Sequence, residues 1–124
     1  MALVDERVWR HVRTLERYGT ERDDGTIVAD GARAHPVTLP EGTELPAMMF
    51  RVATQISTDG FDQGPDLWRY EFALYDRVWR GVVDASRELL TAMSPITERM
   101  DAVEDVYIDA GEGAYARIVH LWIR

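Results

Sequence analysis

The stretch LWRYEFALYDRVWRGVVDASRELLTAM, Leu67–Met93, decides the fold class, because its hydrophobic period changes once along its length. Along Leu67–Tyr75 the even positions Trp68, Tyr70, Phe72 and Leu74 are apolar, while Arg69 and Glu71 stand among the odd ones. Successive side chains leave a strand on opposite sides, so this alternation predicts a strand with one buried and one wetter face. At Asp76 the spacing becomes helical. Val78, Val82, Leu89 and Met93 share a stripe, with Trp79, Val83, Ser86 and Leu90 beside it. Arg77, Arg80, Asp84, Arg87 and Glu88 take the other side. Asp76 is the expected N-cap, its carboxylate accepting from the first free N–H groups of the helix. Two apolar faces so close in sequence can bury each other, so this unit is expected to nucleate the core. It holds no grouping of residues with catalytic chemistry.

Upstream, Met48, Phe50, Val52, Thr54 and Ile56 alternate with Met49, Arg51, Ala53, Gln55 and Ser57, which predicts a strand with its even face inward. STDGFDQGPD, Ser57–Asp66, joins it to the next strand as a long hairpin tip, since Gly60, Gly64 and Pro65 prevent regular structure. That tip carries one exposed aromatic, Phe61, a residue type that on a loop end often marks a contact. LPEGTELP, Leu39–Pro46, reads as a rigid proline-bracketed loop turning at Glu41–Gly42. A strand is expected at Thr26–Val28 or Arg33–Val37, and Pro36 and Pro40 bar it from the sheet centre because proline donates no ladder hydrogen bond. The first helix is expected over residues 3–18. Val4, Val8, Val12 and Leu15 form its stripe, Glu6 and Arg10 an i,i+4 pair, and Gly19 its stop. Trp9 falls at the edge of that stripe, placed to lie partly exposed or to cover a neighbouring subunit.

Downstream, Ser94-Pro95 begins an expected short helical turn through Glu98, and Val103–Asp109 reads as a strand. Ala110–Ala114 is a turn and Tyr115–Arg124 a last strand, apolar on both faces and therefore central or covered by a partner. The order helix, strands, helix, strands, with no βαβ alternation, predicts an α+β fold. Its sheet is mainly antiparallel, of about four to five strands packed against two main helices, in one domain over 1–124.

The composition narrows the function. With 124 residues, 46% hydrophobic and 29% charged, the chain is ordinary for a soluble globular domain. No apolar run reaches bilayer length and MALVDERVWR holds no signal-peptide core, so a soluble, intracellular-type product is expected, with no membrane partner. There is no cysteine for disulfides or thiolate metal sites, and all 14 basic residues are Arg. A formal charge of −8 argues against a nucleic-acid clamp. The acid is concentrated in two places. Glu98–Glu112 holds Glu98, Asp101, Glu104, Asp105, Asp109 and Glu112 against Arg99; Thr20–Gly31 holds Glu21, Asp23, Asp24 and Asp30 against Arg22. Solvated acidic edges are the ordinary role of such stretches.

Catalytic motifs are not found. His11, His35 and His120 lack metal-site spacing, and no serine stands in a GxSxG context. Asp101, Asp105 and Asp109 do not follow the order of a calcium loop. Gly111 and Gly113 punctuate a hairpin, and Glu71 and Asp76 are better matched to arginine ion pairs than to acid–base work. No catalytic, cofactor-binding or metal-binding residues are therefore expected.

Three stretches resemble the small tail-terminator or tail-completion proteins of long-tailed, siphovirus-type bacteriophages. RAHPVTLPEGTELPAMMFRVATQ, Arg33–Gln55, is similar to the family's proline-bracketed loop leading into a strand. WRYEFALYDRVWRGVVDASREL, Trp68–Leu89, is similar to its strand running into an Ala- and Leu-rich helix. YARIVHLWIR, Tyr115–Arg124, is similar to its closing strand. With the first helix, the resemblance covers most of the chain; Glu98–Asp109 departs furthest from the pattern. It implies a non-enzymatic virion protein, assembled in the host cytoplasm as a homohexameric ring at the head-proximal end of the tail tube. The ring stops tube polymerisation, meets the tail tube protein and the head-completion or stopper protein, and lets genomic DNA pass without specific recognition. Trp9 and the tip residues Phe61, Asp62, Gln63 and Asp66 are the expected subunit or tube contacts. Glu21, Asp23 and Asp24 are the expected lumen-facing acids, repelling phosphate so that DNA stays mobile. Two other readings stay open. One is a head-side neck stopper or adaptor. The other is a small bacterial α+β ligand-binding domain or enzyme, with Trp68, Tyr70 and Trp122 lining a pocket instead of packing a core. Open apolar strand edges favour the ring; an enclosed cavity with convergent polar groups favours the binding domain.

Overall fold

A computed structural model of the chain describes residues 4–56, 67–108 and 113–124. In chain order its elements are α1 (Val4–Val12), a 3-10 turn (Glu16–Tyr18), β1 (Thr20–Glu21), β2 (Ile27–Val28), β3 (Ala34–Pro36), β4 (Ala47–Ile56) and β5 (Leu67–Asp76). There follow α2 (Trp79–Met93), a second 3-10 turn (Ser94–Ile96), β6 (Thr97–Ile108) and β7 (Ala114–Ile123). β1 and β2 form a small antiparallel hairpin. The other five make one sheet in the order β3-β4-β5-β7-β6, antiparallel throughout except for the parallel pair β3–β4. The fold is α+β.

The sheet is organised by cross-strand rows. Phe50 lies opposite Phe72, Phe72 opposite Val119 and Val119 opposite Val103, while Pro36 lies beside Phe50. The next row runs Val52, Tyr70, Leu121, Met100. Facing residues in antiparallel strands share a sheet face, so both rows lie on one side. Against that side pack Val8 and Val12 of α1, Leu15, and Ala85, Leu89 and Met93 of α2. Trp9, Phe50, Phe72 and Tyr70 stack in sequence with ring centroids 6.0–6.3 Å apart. β7 is interior to the sheet, as its two apolar faces require. Pro36 keeps β3 short and at the edge.

The unit at Leu67–Met93 forms as its periodicity predicts, with two corrections. The helix begins at Trp79, and Val78, expected on the buried stripe, precedes it and is 60% exposed. The N-cap residue is Val78, not Asp76; the Asp76 carboxylate accepts from Val78 N–H at 3.2 Å instead. It folds back over the first turn, where a Cβ on Gly81 would stand 2.0 Å from its Oδ2. The even face of β4 does turn inward at Met48 and Phe50, but a bulge between Val52 and Thr54 shifts the register. Gln55, not Thr54, then lies opposite Trp68.

Two further expectations change at the termini of elements. α1 ends at Val12, and a bend separates it from the 3-10 turn that carries Tyr18. Gly19 does end this segment, but in extended backbone at φ −90°. Glycine is needed there because a Cβ would sit 2.1 Å from the carbonyl oxygen of Val28. The helical turn after Pro95 lasts only to Ile96, and β6 starts at Thr97, six residues before the expected Val103. Its acids explain why so polar a strand pairs: Glu98 meets Arg124 at 3.3 Å, Asp101 meets Arg69 at 2.9 Å and Asp105 meets Arg117 at 2.7 Å. Each partner comes from β5 or from β7 and the residue that follows it.

Candidate functional site

The sheet ends differently on its two sides. On one side β6 is an outer strand of 12 residues. Its residues on the helix side, Met100 and Val103, are 53% and 42% exposed, although their row-mates Leu121 and Val119 are fully buried. α2 packs mainly on β5 and β7. Farther along, Tyr107 is 59% exposed and packs at a tilt against Tyr115 at 5.2 Å, which meets Trp79 edge-on at 5.7 Å. The Arg117 guanidinium lies 5.2 Å over the Trp79 ring, bonds the Asp105 carboxylate through Nε and Nη2, and donates to Ser86 Oγ at 3.1 Å. It ties this outer strand to α2.

On the other side β3 covers only Met48–Phe50 of β4, and beyond Phe50 the register between them ends. There an open groove of about 510 Å³ is lined by Trp9, Pro36, Val37, Phe50, Val52 and Tyr70, with Glu6 and Arg51 as its charged members. Val37 forms its lip. Val37 has φ +73°, is 62% exposed and sits in a tight turn closed by Thr38 N–H donating to the Pro36 carbonyl at 2.9 Å. A β-branched residue in that backbone region is strained, and such strain concentrates at functional positions.

A second groove, of about 500 Å³, lies between the first 3-10 turn, the β1–β2 hairpin and α2. Its walls carry Glu16, Arg17, Glu21, Arg33 and Glu88. Arg17 and Glu88 form a two-pronged pair at 3.1 and 2.7 Å, which holds the guanidinium of Arg17 above its ordinary pKa and offsets the cost of its partial burial. Below it Tyr18 is buried with no partner for its hydroxyl among the described residues, and burial drives its pKa far up.

Of the expected contact residues, Trp9 is brought into the first groove, half-buried against Phe50. Phe61, Asp62, Gln63 and Asp66 lie outside the described residues. Glu21, Asp23 and Asp24 all fall on the exposed β1–β2 hairpin. Asp24 accepts from the backbone N–H and the hydroxyl of Thr26 at 2.9 and 2.6 Å, bonds that hold its pKa below the usual carboxylate range. Tyr70 packs in the core cluster and Trp68 against it, whereas Trp122 lies on the opposite sheet face under the Arg99 guanidinium at 5.7 Å. His120 shares that face, in a row with Arg51 and Glu71, and is 7% exposed with Nδ1 unpaired among the described residues. Sequence spacing marked Trp9 but missed Val37, Met100 and Val103, whose placement depends on which strands become neighbours.

No group of three His, Cys, Asp or Glu side chains with metal-binding geometry occurs among the described residues. No described helix is long and apolar enough to cross a membrane. No protein-family model matches this sequence, and no curated protein matches it.

Proposed function

We propose that this chain is a non-enzymatic ring subunit of a long-tailed phage virion, a tail-terminator or tail-completion protein. The observation that carries the reading is the pair of dissimilar open edges on one sheet: the half-exposed β6 on one side, the strained apolar groove on the other. A closed ring needs two different surfaces on each protomer, whereas a two-fold dimer uses one surface twice. Both grooves are open, and the apolar one has Glu6 and Arg51 as its charged members, which suits docking better than enclosed catalysis. The resemblance in Arg33–Gln55, Trp68–Leu89 and Tyr115–Arg124 supplies the place of the ring, between the tail tube protein and the head-completion or stopper protein. A net charge of −8 argues against a nucleic-acid clamp, and Glu21, Asp23 and Asp24 facing a lumen would keep the DNA mobile.

Electron microscopy of concentrated protein, alone and mixed with tail tubes, tests the proposal. Six-fold rings with a central hole, seated at one tube end, are the expected result. Uncapped tubes and a featureless monomer at every concentration would overturn it.

A further inference from the structure

Resting on that ring reading, we infer that β6 of one protomer docks along the open half of β4 in the next copy of this chain. Its Met100 and Val103 then close the groove of Trp9, Phe50 and Tyr70. The sheet's own rows carry this. The row Pro36–Phe50–Phe72–Val119–Val103 starts at the groove and ends at an exposed apolar side chain on β6. The row Val52–Tyr70–Leu121–Met100 does the same one step along. Each row is apolar from end to end and unfinished at both ends. Placed side by side at one level, two copies bring Val103 beside Pro36 and Val37 and Met100 beside Val52.

The backbone agrees with the side chains. β5 is antiparallel to both β4 and β7, and β6 is antiparallel to β7. In copies of like orientation β6 therefore runs antiparallel to the neighbouring β4. From Arg51 onward that strand has no partner on its outer side among the described residues. An unpaired strand edge is a template for another strand, and β6 supplies one of sufficient length.

Charge points the same way. Residues 97–108 carry Glu98, Asp101, Glu104 and Asp105 against Arg99, whereas α1, beside the groove, balances Asp5 and Glu6 with Arg7 and Arg10, and Arg13 follows just past its end. Glu104 lies in the row of Ile118, Ala73 and Met49, one row from Arg51, which pairs with Glu71 at 2.7 Å and keeps half of its side chain exposed. Docking would set Glu104 of one copy near Arg51 of the next. Two like edges would instead oppose acid to acid.

The chain has no cysteine, so engineered disulfides give an unambiguous test. Val37→Cys and Val103→Cys are both at exposed positions, and a disulfide forms only when the two Cα atoms approach within about 7 Å. Oxidation of the double variant is expected to give a ladder of covalent multimers that ends at ring size, while either single variant gives none. V103R is expected to raise the concentration for half-assembly about tenfold or more, since every tenfold is about 1.4 kcal/mol. A covalent dimer from V103C alone would mean that β6 edges pair symmetrically and would overturn the inference. Multimers by light scattering without any ladder would overturn this docking but leave the ring standing. A strict monomer would remove both.

Discussion

Phe72 and Val103 lie on one cross-strand row of one sheet, two strands apart, and meet opposite fates. Phe72 is fully buried among the aromatic stack and α2, while Val103 keeps 42% of its surface in water. Both strands that hold them are paired, both residues are apolar, and both face the helix side. What differs is cover: α2 packs mainly on β5 and β7, and β6 lies at the edge of the sheet. Apolar character along a strand reports which face wants burial; it does not report whether this chain or another supplies the cover.

The comparison can be broken at its buried end first. Phe72→Ala removes the centre of the row and is expected to cost about 3–5 kcal/mol, read from urea unfolding. A loss below about 1 kcal/mol would mean the row is not the core. Gly81 gives the next effect. In an ordinary helix Gly→Ala stabilises by up to about 1 kcal/mol. Here the added Cβ would strike the Asp76 carboxylate, and a net loss of about 1 kcal/mol or more is expected. In an Asp76→Ala background the sign should revert to a gain. No sign change in that double-mutant cycle would contradict the contact.

Tyr18→Phe should leave neutral-pH stability within about 1 kcal/mol or raise it, because the hydroxyl is buried without a partner. Its pH dependence is more telling. Folding raises the Tyr18 pKa, so the native state holds the proton more tightly, and stability should fall as pH rises above the ordinary tyrosine value of about 10. Phe at 18 should flatten that alkaline limb; an unchanged limb would assign it elsewhere. The smallest effect belongs to the exposed end of the row. Val103→Ser should change monomer unfolding by no more than about 0.5 kcal/mol, in contrast to Phe72→Ala. A loss near that of Phe72→Ala would show that Val103 is already covered within its own protomer.

Much of this was readable from the residues. The single change of period at Asp76 gave a strand and a helix; the alternation in β4 and the two-sided β7 gave their faces; Pro36 gave an edge. What was not readable depends on partners far along the chain. Thr97 and Glu98 looked helical because Ser94-Pro95 precedes them, yet the strand is sustained by pairing to β7 and by Arg69, Arg117 and Arg124. Asp76 had cap chemistry and does sit at the start of α2, but the cap position belongs to Val78 because the strand runs on to Asp76 before the chain turns. Gly19 was recognised as a stop, although the reason is the nearby Val28 carbonyl and not helix geometry. The groove combines α1, β3, β4 and β5, and only Trp9 stood out from its own surroundings as a residue looking for cover.

The solution mass by multi-angle light scattering, followed from dilute to concentrated protein, tests the central claim most directly. The account predicts a six-fold species, or a monomer that moves reversibly toward one as concentration rises. A tight dimer at every concentration would contradict it, because a two-fold pair would use up the edge that the ring requires.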